Sequence, residues 1–220
     1  VFVEADAGQI FSVKITDNTK QWTCAAMVFN AGATALQFDF GYYGASVVPS
    51  TTVAPLVVNG NVQFNGTPVV TVDAGNLPVG VYPLMTWSGT AAGTVPTAAV
   101  LPSHVVGSLS VVGGNTLTLT VTSSTQPLTW AAGTGVWDFE TTNWMDAASS
   151  ATIYQETTLP GDTVFFDDSA SGGGPFTVTL DTTVTPTAVA FTNSAKEYTL
   201  TGSGALAGVM SLTKQGNGTL

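Results

Sequence analysis

Hydrophobic and polar positions alternate strictly over residues 115–123. Leu117, Leu119 and Val121 fall on one side, and Thr116, Thr118, Thr120 and Thr122 on the other. Period two is the spacing of a half-buried strand. Residues 34–40 and 176–180 alternate in the same way. Threonine takes the outward positions, where a β-branched polar side chain keeps a strand wet on one face without ions. Turn residues separate the runs: Asn59-Gly60 and Asn65-Gly66 bracket a Val-Gln-Phe triplet, and Gly113-Gly114-Asn115, Gly172-Gly173-Gly174-Pro175 and Gly202-Ser203-Gly204 punctuate the rest. Apolar residues never recur at period 3.6 over a sustained stretch. The Ala-rich segment 92–104 is broken by Pro96 and Pro102. The pattern predicts an all-β chain of short strands, which suits sandwiches, barrels and solenoids alike.

A shift in composition divides the chain near Gln126-Pro127. Val-rich strands precede it, and a segment with Trp130, Trp137 and Trp144 follows. The expected units are 1–126 and 127–220. The alternation is still running at Gly218-Thr219-Leu220, and Val1 follows no basic leader, so the sequence reads as a piece of something longer.

Composition narrows the function. Charged residues make up 8% of the 220 positions, against about 25% in an ordinary soluble domain. The net charge is −10, and the cations are Lys14, Lys20, Lys196 and Lys214, with no arginine. Such a chain is repelled by nucleic acid and has no guanidinium fork for phosphate. One cysteine excludes an internal disulfide framework and a cysteine-based zinc site. No apolar run is long enough for a membrane-spanning helix.

The segment from Leu128-Thr129-Trp130 through Trp137-Asp138, Asn143-Trp144, Gly161-Asp162 and Phe166-Asp167-Asp168 leads to Tyr198-Thr199-Leu200-Thr201-Gly202-Ser203-Gly204. It ends in Leu212-Thr213-Lys214-Gln215-Gly216-Asn217-Gly218-Thr219-Leu220. This series resembles the autotransporter-associated β-strand repeat family, also called the passenger-associated transport repeat. The hallmark of that family is Gly-Ser-Gly followed by Leu-x-Lys-x-Gly-x-Gly-Thr-Leu. Residues 56–66, 80–89 and 101–123 resemble the way such a unit closes. The resemblance implies a parallel β-solenoid (β-helix) spanning the end of one repeat unit and the start of the next. It implies a secreted or bacterial cell-surface passenger protein, with flanking repeats of the same chain as neighbours, and it supplies no catalytic residues. A rod that folds as it emerges from a membrane would hinder its own return and so aid export.

Several residues could carry chemistry. Asp162, Asp167 and Asp168 beside a Gly-rich loop could supply oxygen ligands to calcium, the one cofactor considered. The alternative is that Asp162 caps a turn and that Asp167 and Asp168 end a strand and discourage edge pairing. Trp130, Trp137 and Trp144 could stack on sugar rings, or pack in the core as aromatics mostly do. Asp138, Glu140, Asp146 and Glu156 offer carboxylate pairs of the kind a glycosidase needs, which any acidic protein does. His104, the single histidine, could pair with Ser103 or Ser108 as a general base, but triads are recognised by geometry and not by neighbouring positions. Cys24 sits in an apolar run as a small hydrophobe. Asn65-Gly66-Thr67 and Asn217-Gly218-Thr219 match a glycosylation sequon and double as turns.

The leading expectation is a non-enzymatic structural or adhesive segment of a secreted or surface protein. The rival is a carbohydrate-binding or carbohydrate-processing β-helix. An outer-membrane barrel ranks last, because Asn-Gly turns come too often for strands of about 9 to 11 residues.

Overall fold

The computed structural model describes residues 2–32, 34–41 and 47–220. Strands and turns account for all of the regular structure among them. The chain divides into two compact units, Val1–Ser124 and Thr125–Leu220.

The first unit carries β1 (Phe2–Ala5), β2 (Ile10–Lys14), β3 (Trp22–Cys24), β4 (Ala26–Phe29), β5 (Ala35–Asp39), β6 (Leu56–Val58), β7 (Val62–Phe64), β8 (Val69–Asp73), β9 (Gly80–Trp87), β10 (Ala91–Gly93), β11 (Ala99–Val100), β12 (Val106–Val112) and β13 (Thr116–Ser123). Each sheet takes every third strand. The orders are β1-β4-β7-β10, β2-β5-β8-β11 and β3-β6-β9, all parallel. A parallel pair needs a long connection between its strands, and here the two intervening strands provide it.

Alternation fixes the register. Phe11, Leu36 and Val70 are partners across β2, β5 and β8, as are Val13, Phe38 and Val72. Slipping by one residue would turn every such column outward. Leu36, Phe38, Val70 and Val72 are completely or almost completely buried, and each is worth roughly 1.5–3 kcal/mol of transfer free energy. Cys24, Val58 and Trp87 form a third buried column across β3, β6 and β9. Burial pushes the Cys24 thiol above its ordinary value, so the residue behaves as a small hydrophobe.

The second unit carries β14 (Pro127–Trp130), β15 (Gly135–Val136), β16 (Trp144–Met145), β17 (Ala151–Thr152), β18 (Gly161–Phe166), β19 (Phe176–Thr179), β20 (Pro186–Phe191), β21 (Tyr198–Thr201) and β22 (Ser211–Lys214). Two parallel sheets run β14-β18-β20-β22 and β15-β19-β21, and a parallel bridge joins Val184 to Leu206. Leu128, Val164 and Val189 stack as a fully buried column that continues to the half-exposed Leu212.

The all-β class and parallel pairing are as the alternation and resemblance imply, but pairing is not parallel throughout. β13 lies antiparallel between β12 and β9, and β16 lies antiparallel between β14 and β17. A hairpin needs only a short turn. Gly113 and Gly114, both at positive φ, supply one between β12 and β13.

Candidate functional site

The three tryptophans of the second unit are core residues. Trp130, Trp137 and Trp144 are each 0% exposed. Trp130 and Trp144 meet edge to face at 4.9 Å, Trp137 and Trp144 at 5.2 Å, and all three lie against Phe166. A sugar platform needs an open ring face, and these faces are covered by one another. The glycan-stacking expectation for these residues is therefore corrected. The alternation around Trp130 marks burial; it could not say that Trp137 and Trp144 would join the same cluster from beyond two turns. Trp130 Nε1 donates to the Gly133 carbonyl at 2.9 Å, whereas the indole N–H groups of Trp137 and Trp144 are buried without a partner.

The three aspartates proposed for calcium do not converge. Asp162 stands at the start of β18, while Asp167 and Asp168 follow its end, roughly 20 Å apart at strand rise. Asp162 is fully buried and accepts from the backbone N–H groups of Gln126 (2.7 Å) and Gln155 (2.8 Å). It pins two segments that flank β14 and β18. Asp167 closes a local turn by accepting from the N–H and hydroxyl of Ser169. Asp168 accepts from the N–H groups of Ser194, Ala195 and Lys196 in the turn that follows β20. Desolvation opposes its ionised form, but these three N–H groups and the Lys196 charge prevail and hold the carboxyl below the usual range. Among the described residues no three His, Cys, Asp or Glu side chains gather as a metal site.

Three of the four carboxylates weighed for glycoside cleavage, those of Asp138, Asp146 and Glu156, accept hydrogen bonds from backbone N–H groups. Asp138 accepts from Glu140 N, Thr141 N and the Thr141 hydroxyl, and Asp146 accepts from Ala148 N and Ser150 N. Glu156 accepts from the Tyr154 hydroxyl at 2.7 Å and from Thr185 N. Burial, reinforced by the hydrogen bond to Glu156, drives the Tyr154 phenol far above its ordinary value. Tyr198 donates to the Asp167 carbonyl at 2.6 Å. Burial first, and the Asp167 and Asp168 charges second, push it up to about 12.

The turn after β20 has a counterpart one stacked strand on. Asn193 is fully buried, and its Nδ2 donates to the carbonyls of Lys196 (2.6 Å) and Thr219 (3.1 Å). It thus ties its own turn to the Gly216-Asn217-Gly218 turn. A Cβ at Gly218 would lie 2.4 Å from Asn193 Nδ2, which gives the terminal Gly-x-Gly pattern its physical meaning. Lys196 donates to the Ala170 carbonyl and lies 5.6 Å from the Phe176 ring centroid.

In the first unit, His104 occupies the turn before β12 with φ at 66°, and is buried. Ser108 lies exposed on β12. Sequence reasoning passed over a cleft of about 170 Å³ bordered by Lys14, Thr16, Asp17, Lys20, Gln21 and Trp22. Trp22 sits two residues before the buried Cys24 and so reads as an inward position. Only its place on the outermost strand of its sheet explains why it is 39% exposed.

No family model, curated protein or solved structure matches the chain.

Proposed function

We propose that this chain is a non-enzymatic, parallel β-solenoid segment that serves as a structural or adhesive rod in a secreted or cell-surface protein. The observation that carries the reading is in-register parallel stacking, of every third strand in the first unit, with Phe29 on Phe64, and of β18 on β20 in the second, with Phe166 on Phe191. Such a stack is extended by repetition, and its stability is close to a sum of coil and interface terms. Two further features support it. The carboxylates of Asp138, Asp146, Asp162 and Asp168 are engaged with backbone N–H groups that hold turns together. The Gly-Ser-Gly and Gly-x-Gly turns pack directly on the turns before them. The resemblance to the autotransporter-associated repeat points to flanking repeats of the same chain as the natural neighbours and to folding on the far side of a membrane as an aid to export.

Export is tested by fusing the segment into a secreted passenger and following the rate at which the passenger reaches the medium. The segment accelerates secretion on this reading. Equal rates with and without it, or with a version whose β18 to β22 stack is disrupted, would remove the export role.

A further inference from the structure

We propose that Asn59-Gly60, the corner between β6 and β7, is a site of spontaneous backbone modification, in which the Gly60 amide nitrogen attacks the Asn59 side chain and leaves aspartate or isoaspartate. The inference uses only the first unit and does not rest on the scaffold role. Three Asn-Gly pairs occur in the chain, Asn59-Gly60, Asn65-Gly66 and Asn217-Gly218. In each, the nucleophile and the amide it attacks are neighbours in one chain, which replaces a bimolecular encounter by an internal one. Glycine adds no Cβ to obstruct the approach. All three asparagines are exposed to water.

The structure separates the three pairs. Gly66 N donates to the Phe29 carbonyl at 3.2 Å, and the Asn65 amide donates to Asn30 Oδ1 at 3.1 Å. Gly218 N donates to the Asn193 carbonyl at 3.0 Å. An N–H held by a carbonyl has to be released by local opening before its nitrogen can turn on the side chain. Among the described residues nothing accepts from the Gly60 N–H, and the Asn59 amide has no hydrogen-bond partner.

The step balances with water as its only co-reactant. The Gly60 nitrogen gives up its proton and bonds to Asn59 Cγ. The side-chain nitrogen takes up a proton and departs as ammonia, leaving a succinimide. Water then adds to one of the two ring carbonyls and breaks its bond to nitrogen. Opening at Cγ gives aspartate on the ordinary main chain, and opening at the main-chain carbonyl carries the chain through Cβ and Cγ as isoaspartate. The corner is tied on both sides: Asn59 N donates to the Cys24 carbonyl at 2.7 Å, and the Gly60 carbonyl accepts from Gly89 N at 2.9 Å. The methylene inserted by isoaspartate moves these two groups apart, so conversion loosens the first unit.

The test is incubation of the whole chain in mildly alkaline buffer, folded and in denaturant, followed by peptide mapping by mass spectrometry and enzymatic methylation of isoaspartate. In the folded chain Asn59 converts at least about fivefold faster than Asn65 or Asn217, a scale set by the hydrogen bond that must first open. In denaturant the three convert at similar rates. Asn59→Ser, an exposed change that leaves no amide to lose, is the control for the consequence. After the same incubation it keeps its melting temperature, whereas the parent melts lower. Conversion of Asn65 or Asn217 in the folded chain as fast as Asn59, no conversion at Asn59, the same preference in denaturant, or equal loss of melting temperature in the parent and Asn59→Ser overturns the proposal.

Discussion

Phe166 lies flat on Phe191, with ring centroids 4.6 Å apart and planes 9° from parallel. The two are register partners across β18 and β20. Phe29 and Phe64 repeat the relationship in the first unit at 5.3 Å and 4°. Parallel in-register pairing places identical positions above one another at strand spacing, so like rings stack by symmetry and not by chance.

Replacing either phenylalanine of the second unit tests this packing. Phe166→Ala and Phe191→Ala each cost about 3–5 kcal/mol by loss of transfer free energy and creation of a cavity. The double variant costs less than the sum, by about 0.5–1.5 kcal/mol, because the ring pair can be lost only once. Denaturant unfolding of the four proteins measures the coupling. Strict additivity would mean that the rings do not interact.

The buried indoles differ in what they lose. Trp130→Phe removes the hydrogen bond to the Gly133 carbonyl, while Trp144→Phe removes an N–H that has no partner. The volume change is the same. The first substitution is therefore costlier by about 1–2 kcal/mol, read as the difference in unfolding free energy. Equal costs would contradict the assigned partners.

Gly202 has φ at 120°, and a Cβ there would lie 2.1 Å from the Leu180 carbonyl oxygen. Gly202→Ala combines backbone strain with a steric clash and destabilises the second unit by at least about 1–3 kcal/mol. Gly173, which has open space around it, is the control, and Gly173→Ala stays within about 0.5 kcal/mol of the parent. Thermal unfolding separates the two.

Two groups are expected to contribute to stability that is lost in acid and in alkali. The Asp168 carboxyl is lowered from 3.8 in the folded state, so its contribution is complete above that value and is lost as pH falls through the lower folded one. Asp168→Asn flattens the acid limb of a plot of Tm against pH. The Tyr198 phenol is raised from 10.0 to about 12. Its contribution is complete below pH 10.0 and disappears as pH rises toward 12. Tyr198→Phe reduces the alkaline loss of Tm. An unchanged pH profile in either variant would show that the other ionisable groups govern that limb.

Periodicity made individual strands legible. Leu117, Leu119 and Val121 are buried in β13 as their spacing implies, yet Thr118, on the opposite side, is buried as well. Alternation describes one strand, while burial depends on what covers both faces of the sheet. The antiparallel neighbours of β13 were invisible for the same reason: pairing partners are set by the path of the chain. Asp162, Asp167 and Asp168 are neighbours in sequence, but an extended strand carries them to opposite ends, so proximity along the chain misled about convergence. Trp22 was missed because its inward parity fits a core residue, and its exposure follows from β3 being an outermost strand.

The central claim is the in-register parallel stack, and paired cysteines test it most directly. Thr177 on β19 is the partner of Thr199 on β21, and neither is buried. Parallel partners lie about 4.8 Å apart, inside the roughly 4.4–6.8 Å between Cα atoms that a disulfide bridges. Thr201 is two residues further along β21, about 8 Å from Thr177 at strand rise and beyond that reach. Cys24 is buried and takes no part. Under mild oxidation the variant with Thr177→Cys and Thr199→Cys forms an intramolecular disulfide in the folded state, seen by mass spectrometry, and the variant with Thr177→Cys and Thr201→Cys does not. Bridging only in the second variant, or in neither, would contradict the stack.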